Sequence, residues 1–98
     1  MFKRKIKEGK HFKFEEADGY ENTAIRLLKG EFKDIVYVYG GAEATVVGGM
    51  CHLKFCFETV SKPSKYVNVS DAELEQNTEF ITLLGDILQV VIEISNAE

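Results

Sequence analysis

Apolar and polar residues alternate or cluster in short runs along the first 60 residues, which predicts β-strands. Residues 12–15 alternate apolar and charged side chains, the pattern of a half-buried strand. Residues 24–29 are a second strand candidate. Residues 35–39 read Ile-Val-Tyr-Val-Tyr, a strongly β-forming composition in which both faces are expected to be covered.

Two glycine pairs divide the region that follows. Gly40 with Gly41 and Gly48 with Gly49 can each supply the positive φ angles of a tight hairpin turn. The clearest strand comes after the second pair, because apolar and polar residues alternate from residue 51 to residue 58. Together these segments predict an antiparallel β-meander of about five strands over residues 11–62.

A long helix is predicted over residues 71–95. Ser70 and Glu73 form a capping box, in which the Ser70 hydroxyl accepts from the amide of residue 73. From residue 80 to residue 94 the apolar side chains fill an arc of about 200°, whereas a surface helix needs roughly 100°. The expected fold class is therefore α+β, with the helix packed on one face of the sheet.

The wide apolar arc also predicts that something besides one sheet face covers the helix. Either the sheet curls around the helix, or a protein partner or second copy covers the remainder. On a helical wheel Leu88 and Ile92 lie at one edge of the arc, and Leu83 and Val90 lie at the other. These four residues are the candidate partner-binding residues. The predicted core comprises Phe12, Phe14, Ile25, Leu27, Leu53, Phe55, Phe57, Phe80, Leu84, Ile87 and Val91.

Charge is unevenly placed along the 98 residues, whose net charge is -4. A basic arm at residues 1–10 holds the candidate charged contacts, whereas residues 70–98 hold seven acidic residues and no Lys or Arg. This polarity suits head-to-tail contacts or a charged partner, and the alternative is a solvated basic end with a solvated acidic helix face. Because the whole chain is acidic, a nucleic-acid partner is not expected. The candidate charged contacts are Lys3, Arg4, Lys5 and Lys7.

The residues that bear metal or catalytic chemistry lack the spacing that such sites need. His11, Cys51, His52 and Cys56 are the only soft metal ligands, and they form no Cys-x-x-Cys or His-x-x-x-His motif. We therefore expect free thiols, no metal, no cofactor, no small-molecule substrate and no enzymatic activity. One alternative stays open, in which His11 approaches Cys56 from a neighbouring strand.

The length and composition predict one domain over residues 1–98. No apolar run reaches the roughly 18 to 20 residues that span a bilayer, so no membrane association is expected. The basic start is not followed by an apolar segment, so we expect no secretory signal and an intracellular location.

Two stretches, LLKGEFKDIVYVYG at residues 27–40 and EFITLLGDIL at residues 79–88, resemble small uncharacterised proteins of large tailed bacteriophages. The resemblance covers about half of the chain and carries over no functional residues. It implies a virion component of the tail, baseplate or neck, or an assembly factor, located in the host cytoplasm or the virion. The expected function is a non-enzymatic structural or assembly subunit that acts through protein–protein contacts. The alternative is a small regulatory module that binds a host protein or nucleic acid through the basic arm.

Overall fold

The computed structural model describes residues 6–20 and 23–96, with the backbone alone at residues 44, 51–53 and 95–96. The strands form one antiparallel sheet in the order β1-β2-β3-β4, and the helices follow it, so the α+β class is confirmed. The elements are β1 (Phe12–Glu15), β2 (Ala24–Leu27), β3 (Val36–Val47), β4 (Met50–Ser61), a 3-10 turn (Ser64–Tyr66), α1 (Asp71–Glu75) and α2 (Thr78–Asn96).

The hairpin predicted at the first glycine pair is wrong, because β3 runs through Gly40 and Gly41 without turning. Tyr39 pairs with Phe57 and Gly41 pairs with Cys56, so Gly40 is an extra residue in a β-bulge. The Cys56 sulfur lies 3.1 Å from the position that a Cβ on Gly40 would take. The described residues therefore form four strands instead of about five, since one long strand replaces two short ones.

The hairpin predicted at the second glycine pair is confirmed. Gly48 and Gly49 have φ angles of 59° and 82° and join Val47 to Met50, which face each other across the turn. Two positive φ angles in a two-residue loop are what a type I′ turn requires. The long hairpin ends in an apolar tip, because Val46, Val47 and Met50 are largely exposed.

The predicted helix begins where expected but is interrupted. The Ser70 hydroxyl accepts from the Glu73 amide at 3.2 Å, which confirms the cap. The first helix, however, ends at Glu75. Asn77 then caps a new helix, because its side-chain oxygen accepts from the Phe80 amide at 3.2 Å. Asparagine competes for backbone hydrogen bonds in this way, so it favours a cap over a helix interior.

The main core joins the sheet to α2, and six of the eleven predicted core residues are buried in it: Phe12, Ile25, Leu27, Phe80, Leu84 and Ile87. Phe55, Phe57 and Val91 are partly buried against this cluster. Phe14 is a wrong prediction, because it is exposed, and the Leu53 side chain lies outside the described residues. Five further residues are buried in the same cluster: Phe32, Ile35, Tyr37, Tyr66 and Leu74.

A second, smaller cluster lies on the residues that alternate with the core residues of β2 and β3. Ala24, Val36 and Val38 are buried there, and Tyr20 from the β1–β2 connection packs against them. Successive residues of a strand point to opposite faces, so this cluster covers the other face of the central strands. The expectation that residues 35–39 are covered on both faces is confirmed.

Candidate protein-interaction site

A relay of hydroxyl groups holds α2 against the sheet. The Tyr39 hydroxyl donates to the Leu84 carbonyl at 2.6 Å, and the Tyr37 hydroxyl lies 2.9 Å from that of Tyr39. Because the single hydroxyl proton of Tyr39 is directed to Leu84, Tyr37 is the donor in the second bond. Burial raises the pKa of both tyrosines, so both remain protonated donors at neutral pH.

An open apolar groove lies where the C-terminal half of α2 passes over β1, β2 and β3. Its volume is about 520 Å³. Two buried side chains, Ile25 and Leu88, form part of its lining, while Phe14 and Ile94 are each 39% exposed. Thr23, Tyr39, Gly40, Gly41, Ala42 and Val91 complete the lining.

The exposure of Phe14 indicates that no described residue fills the groove. Phe12 and Phe14 are two residues apart on β1 and therefore point to the same face, yet Phe12 is fully buried. The two rings meet edge to face with 5.7 Å between their centroids, and the remainder of the Phe14 ring borders the groove. Exposed apolar side chains that adjoin one another, rather than lying scattered, are typical of an interaction surface.

The predicted partner-binding residues are distributed differently from the expectation. Leu88 is only 4% exposed and forms part of the floor of the groove. Leu83 and Val90 are partly buried against the main core, and Ile92 is partly buried. For all four residues a role in binding stays a prediction. The helical wheel orders the side chains correctly but does not show which direction faces the sheet.

The helix that carries the exposed apolar Ile94 is acidic as a whole. Along α2 the charged residues are Glu79, Asp86 and Glu93, and none is basic. On β2, the Arg26 side chain lies on the face of the sheet opposite Phe14 and forms ion pairs there. Its guanidinium bonds to Glu15 and lies 3.5 Å from Asp34.

The ion pair of Arg26 with Glu15 also shifts the pKa of both residues. The hydrogen bond from Arg26 lowers the pKa of Glu15, and the same bond raises the pKa of Arg26. Lys13 adds a second cation, 3.6 Å from Glu15. The cations of β1 and β2 thus face away from the groove, and none of the described residues that line the groove is charged.

The basic arm is described only at its end. Lys7 is exposed, and its backbone N–H donates to Nδ1 of His11 at 3.0 Å. Desolvation, together with the charge of Lys29, lowers the pKa of His11. Lys3, Arg4 and Lys5 lie outside the described residues.

The structure separates the residues that were weighed as a catalytic pair. His11 comes just before β1 and Cys56 lies on β4, at opposite edges of the sheet. Three strand spacings of about 4.8 Å therefore lie between them. Cys56 is a free, exposed thiol, whereas the side chains of Cys51 and His52 lie outside the described residues. Among the residues that the structure describes, no cluster of His, Cys, Asp and Glu is suited to a metal ion.

Sequence reasoning missed the groove and the apolar hairpin tip. Val46, Val47 and Met50 flank the Gly48 turn, and hairpin turns lie at the surface, so their exposure was open to prediction. No such signal indicates that Phe14 is exposed, because Phe14 belongs to the same alternating run of apolar and charged residues as buried Phe12.

Comparison of the chain with protein-family models, curated proteins and solved structures finds no match. Within residues 6–20 and 23–96, no helix combines the length and the apolar character that crossing a bilayer requires.

Proposed function

We propose that this protein is a non-enzymatic structural or assembly subunit that acts through protein–protein contacts, and that the groove is its binding site. In this proposal α2 covers one face of the sheet and leaves the groove open at its C-terminal end. The observation that carries the proposal is the adjoining exposure of Phe14 and Ile94 above buried Leu88. An apolar cleft with a rigid, buried floor binds a side chain at low conformational cost.

The partner that fits is a segment of another protein with large apolar side chains and flanking Lys or Arg residues. The apolar side chains would fill the groove between Phe14 and Ile94. The cations would be attracted by the net negative charge of α2, which carries acidic residues and no basic one. Attraction between opposite charges that are not in direct contact chiefly raises the association rate, so apolar burial would supply most of the affinity.

A tailed-phage particle is the setting that the resemblance of residues 27–40 and 79–88 supports. Within it the protein would be a component of the tail, baseplate or neck, or an assembly factor. A small subunit with one apolar groove suits a place between larger subunits.

The test is a selection of random peptides on the immobilised full chain. We expect enriched peptides to carry large apolar residues flanked by Lys or Arg. Their binding should be lost in Phe14→Glu and Ile94→Glu, which place a charge in the groove where apolar groups must be buried. Val47→Glu is the matched control, because Val47 is also an exposed apolar residue but lies on the distant hairpin tip.

Circular dichroism of the three variants shows whether each retains the fold. Peptides that bind Ile94→Glu as tightly as they bind the unaltered chain would refute the proposed site. So would a selection in which no apolar, basic pattern is enriched.

A further inference from the structure

In the part of the chain that the structure describes, no strand pairs with the outer edge of β4, which lies on the side of the sheet opposite β1. β4 has 12 residues and is the last strand of the sheet, whereas the opposite edge strand, β1, has 4. An edge strand presents unpaired N–H and C=O groups to any strand that can align with it. This edge is distinct from the groove described above.

The direction of the β4 backbone groups follows from one contact. The Thr59 N–H donates to a carboxylate oxygen of Asp71 at 3.2 Å, so it points away from β3. In an antiparallel strand every second residue directs its N–H and C=O to the same edge. No bulge interrupts β4 between Met50 and Thr59, so the groups of Phe55 and Phe57 also point outward.

The edge beside Phe55 and Phe57 has space for another strand. A cleft of about 490 Å³ lies there, bordered by Glu75 of α1 and Ile81 of α2. Asp71 occupies the edge at Thr59 and so limits the free stretch. The available segment therefore ends near Glu58.

The charged side chains of this segment are complementary to those of the same segment in a second copy that runs antiparallel to it. Lys54 and Glu58 are exposed and lie two residues before and after Cys56. An antiparallel pairing centred on Cys56 places Lys54 of each copy opposite Glu58 of the other. Pairings centred on Phe55 or Phe57 place Lys54 opposite Cys56 or Val60 instead, so charge complementarity selects the Cys56 centre.

The backbone agrees with the same register. With Cys56 opposite Cys56, Phe55 of one copy lies opposite Phe57 of the other, and both residues have outward N–H and C=O groups. These residues form the hydrogen-bonded pairs, while Lys54 and Glu58 form the closer, non-hydrogen-bonded pairs. Among the described residues Lys54 makes no ion pair within its own chain.

We propose that two copies of this chain associate through antiparallel pairing of their β4 edges, centred on Cys56, with Lys54 of each copy opposite Glu58 of the other. The two four-stranded sheets would then become one continuous sheet. Only residues 54–58 are free to pair, so the association is weaker than that of a standard interface of about 1,600 Å² and depends on concentration.

Sedimentation velocity of the full chain over a range of concentrations tests the proposal. We expect a reversible monomer–dimer equilibrium. Lys54→Glu and Glu58→Lys should each weaken it by about tenfold or more, because two like-charge pairs replace two opposite-charge pairs. The double variant Lys54→Glu, Glu58→Lys should restore it, since the swap rebuilds both pairs.

One control concerns the hydroxyl of Tyr20, which donates to Glu58 at 3.3 Å in the monomer. Tyr20→Phe removes that bond and should leave dimerisation unchanged. A second control separates the two surfaces, because Ile94→Glu should abolish peptide binding at the groove and leave dimerisation unchanged.

A disulfide between the Cys56 residues of two copies would test the register of the pairing directly. Opposed residues of a non-hydrogen-bonded pair have Cα atoms about 4.5 Å apart, which a disulfide can span. In a Cys51→Ser background, diamide as the oxidant should link two chains through Cys56, and Lys54→Glu should suppress the link. A chain that stays monomeric at all concentrations, or a double swap that does not restore the dimer, would overturn the proposal.

Discussion

Replacing Tyr39 with Phe should destabilise the protein more than replacing Tyr37, although the two hydroxyls share a hydrogen bond. Tyr37→Phe removes one donor and leaves the bond from Tyr39 to Leu84 intact, so it should cost about 1 kcal/mol. Tyr39→Phe removes both bonds and leaves the hydroxyl of fully buried Tyr37 without that acceptor. The cost should rise to about 2–3 kcal/mol.

The double variant distinguishes this relay from two independent contacts. Replacing both tyrosines removes the buried hydroxyl that Tyr39→Phe alone would leave unpaired. The cost should therefore be about 2 kcal/mol, less than the sum of the single effects. Urea unfolding of the four proteins gives the coupling energy through a double-mutant cycle, provided that the denaturant dependence is the same in each.

Tyr20→Phe is the matched control, because its hydroxyl bonds to exposed Glu58 at 3.3 Å, so its removal should leave the free energy of unfolding almost unchanged. Equal losses in the two single variants, with additive energies in the double variant, would refute the relay. The two hydrogen bonds, from Tyr37 to Tyr39 and from Tyr39 to the Leu84 carbonyl, would then contribute independently to stability.

Three further predictions concern single positions and pH. Stability should fall as the pH rises above about 10, because tyrosines of the unfolded chain lose their protons there while buried Tyr37 and Tyr39 keep theirs. The tyrosinate absorbance that appears together with the loss of circular dichroism should be smaller in the double Phe variant, which keeps only Tyr20 and Tyr66. Ser70→Ala should cost about 1 kcal/mol and Ser70→Gly a few tenths in urea melts, and equal, negligible losses would contradict the cap. Gly85→Ala should stabilise α2 by about 0.5–1 kcal/mol, because the new Cβ would lie 3.7 Å from the Phe55 ring, an ordinary contact; a lower melting temperature would contradict this.

Features that depend on neighbouring residues were determined by the sequence itself. The Ser70 cap is an example, since its hydroxyl and the Glu73 amide are three residues apart. The turn at Gly48 and Gly49 is another, because a two-residue loop needs positive φ angles that glycine adopts without strain. The alternation of Phe55 and Phe57 with exposed neighbours follows likewise from the period of a strand.

Only the tertiary structure decided what each apolar face contacts. The bulge at Gly40 arises from the register between β3 and β4, so the glycine pair alone reads as a turn. The helical wheel places Leu88 at the edge of an arc, yet the position of the sheet makes it a buried residue and leaves Ile94 exposed. Phe12 and Phe14 are the same residue type on the same face of the same strand, yet only Phe14 lies beside the groove. Periodicity specifies which residues share a face, whereas burial depends on chain segments that are distant in sequence.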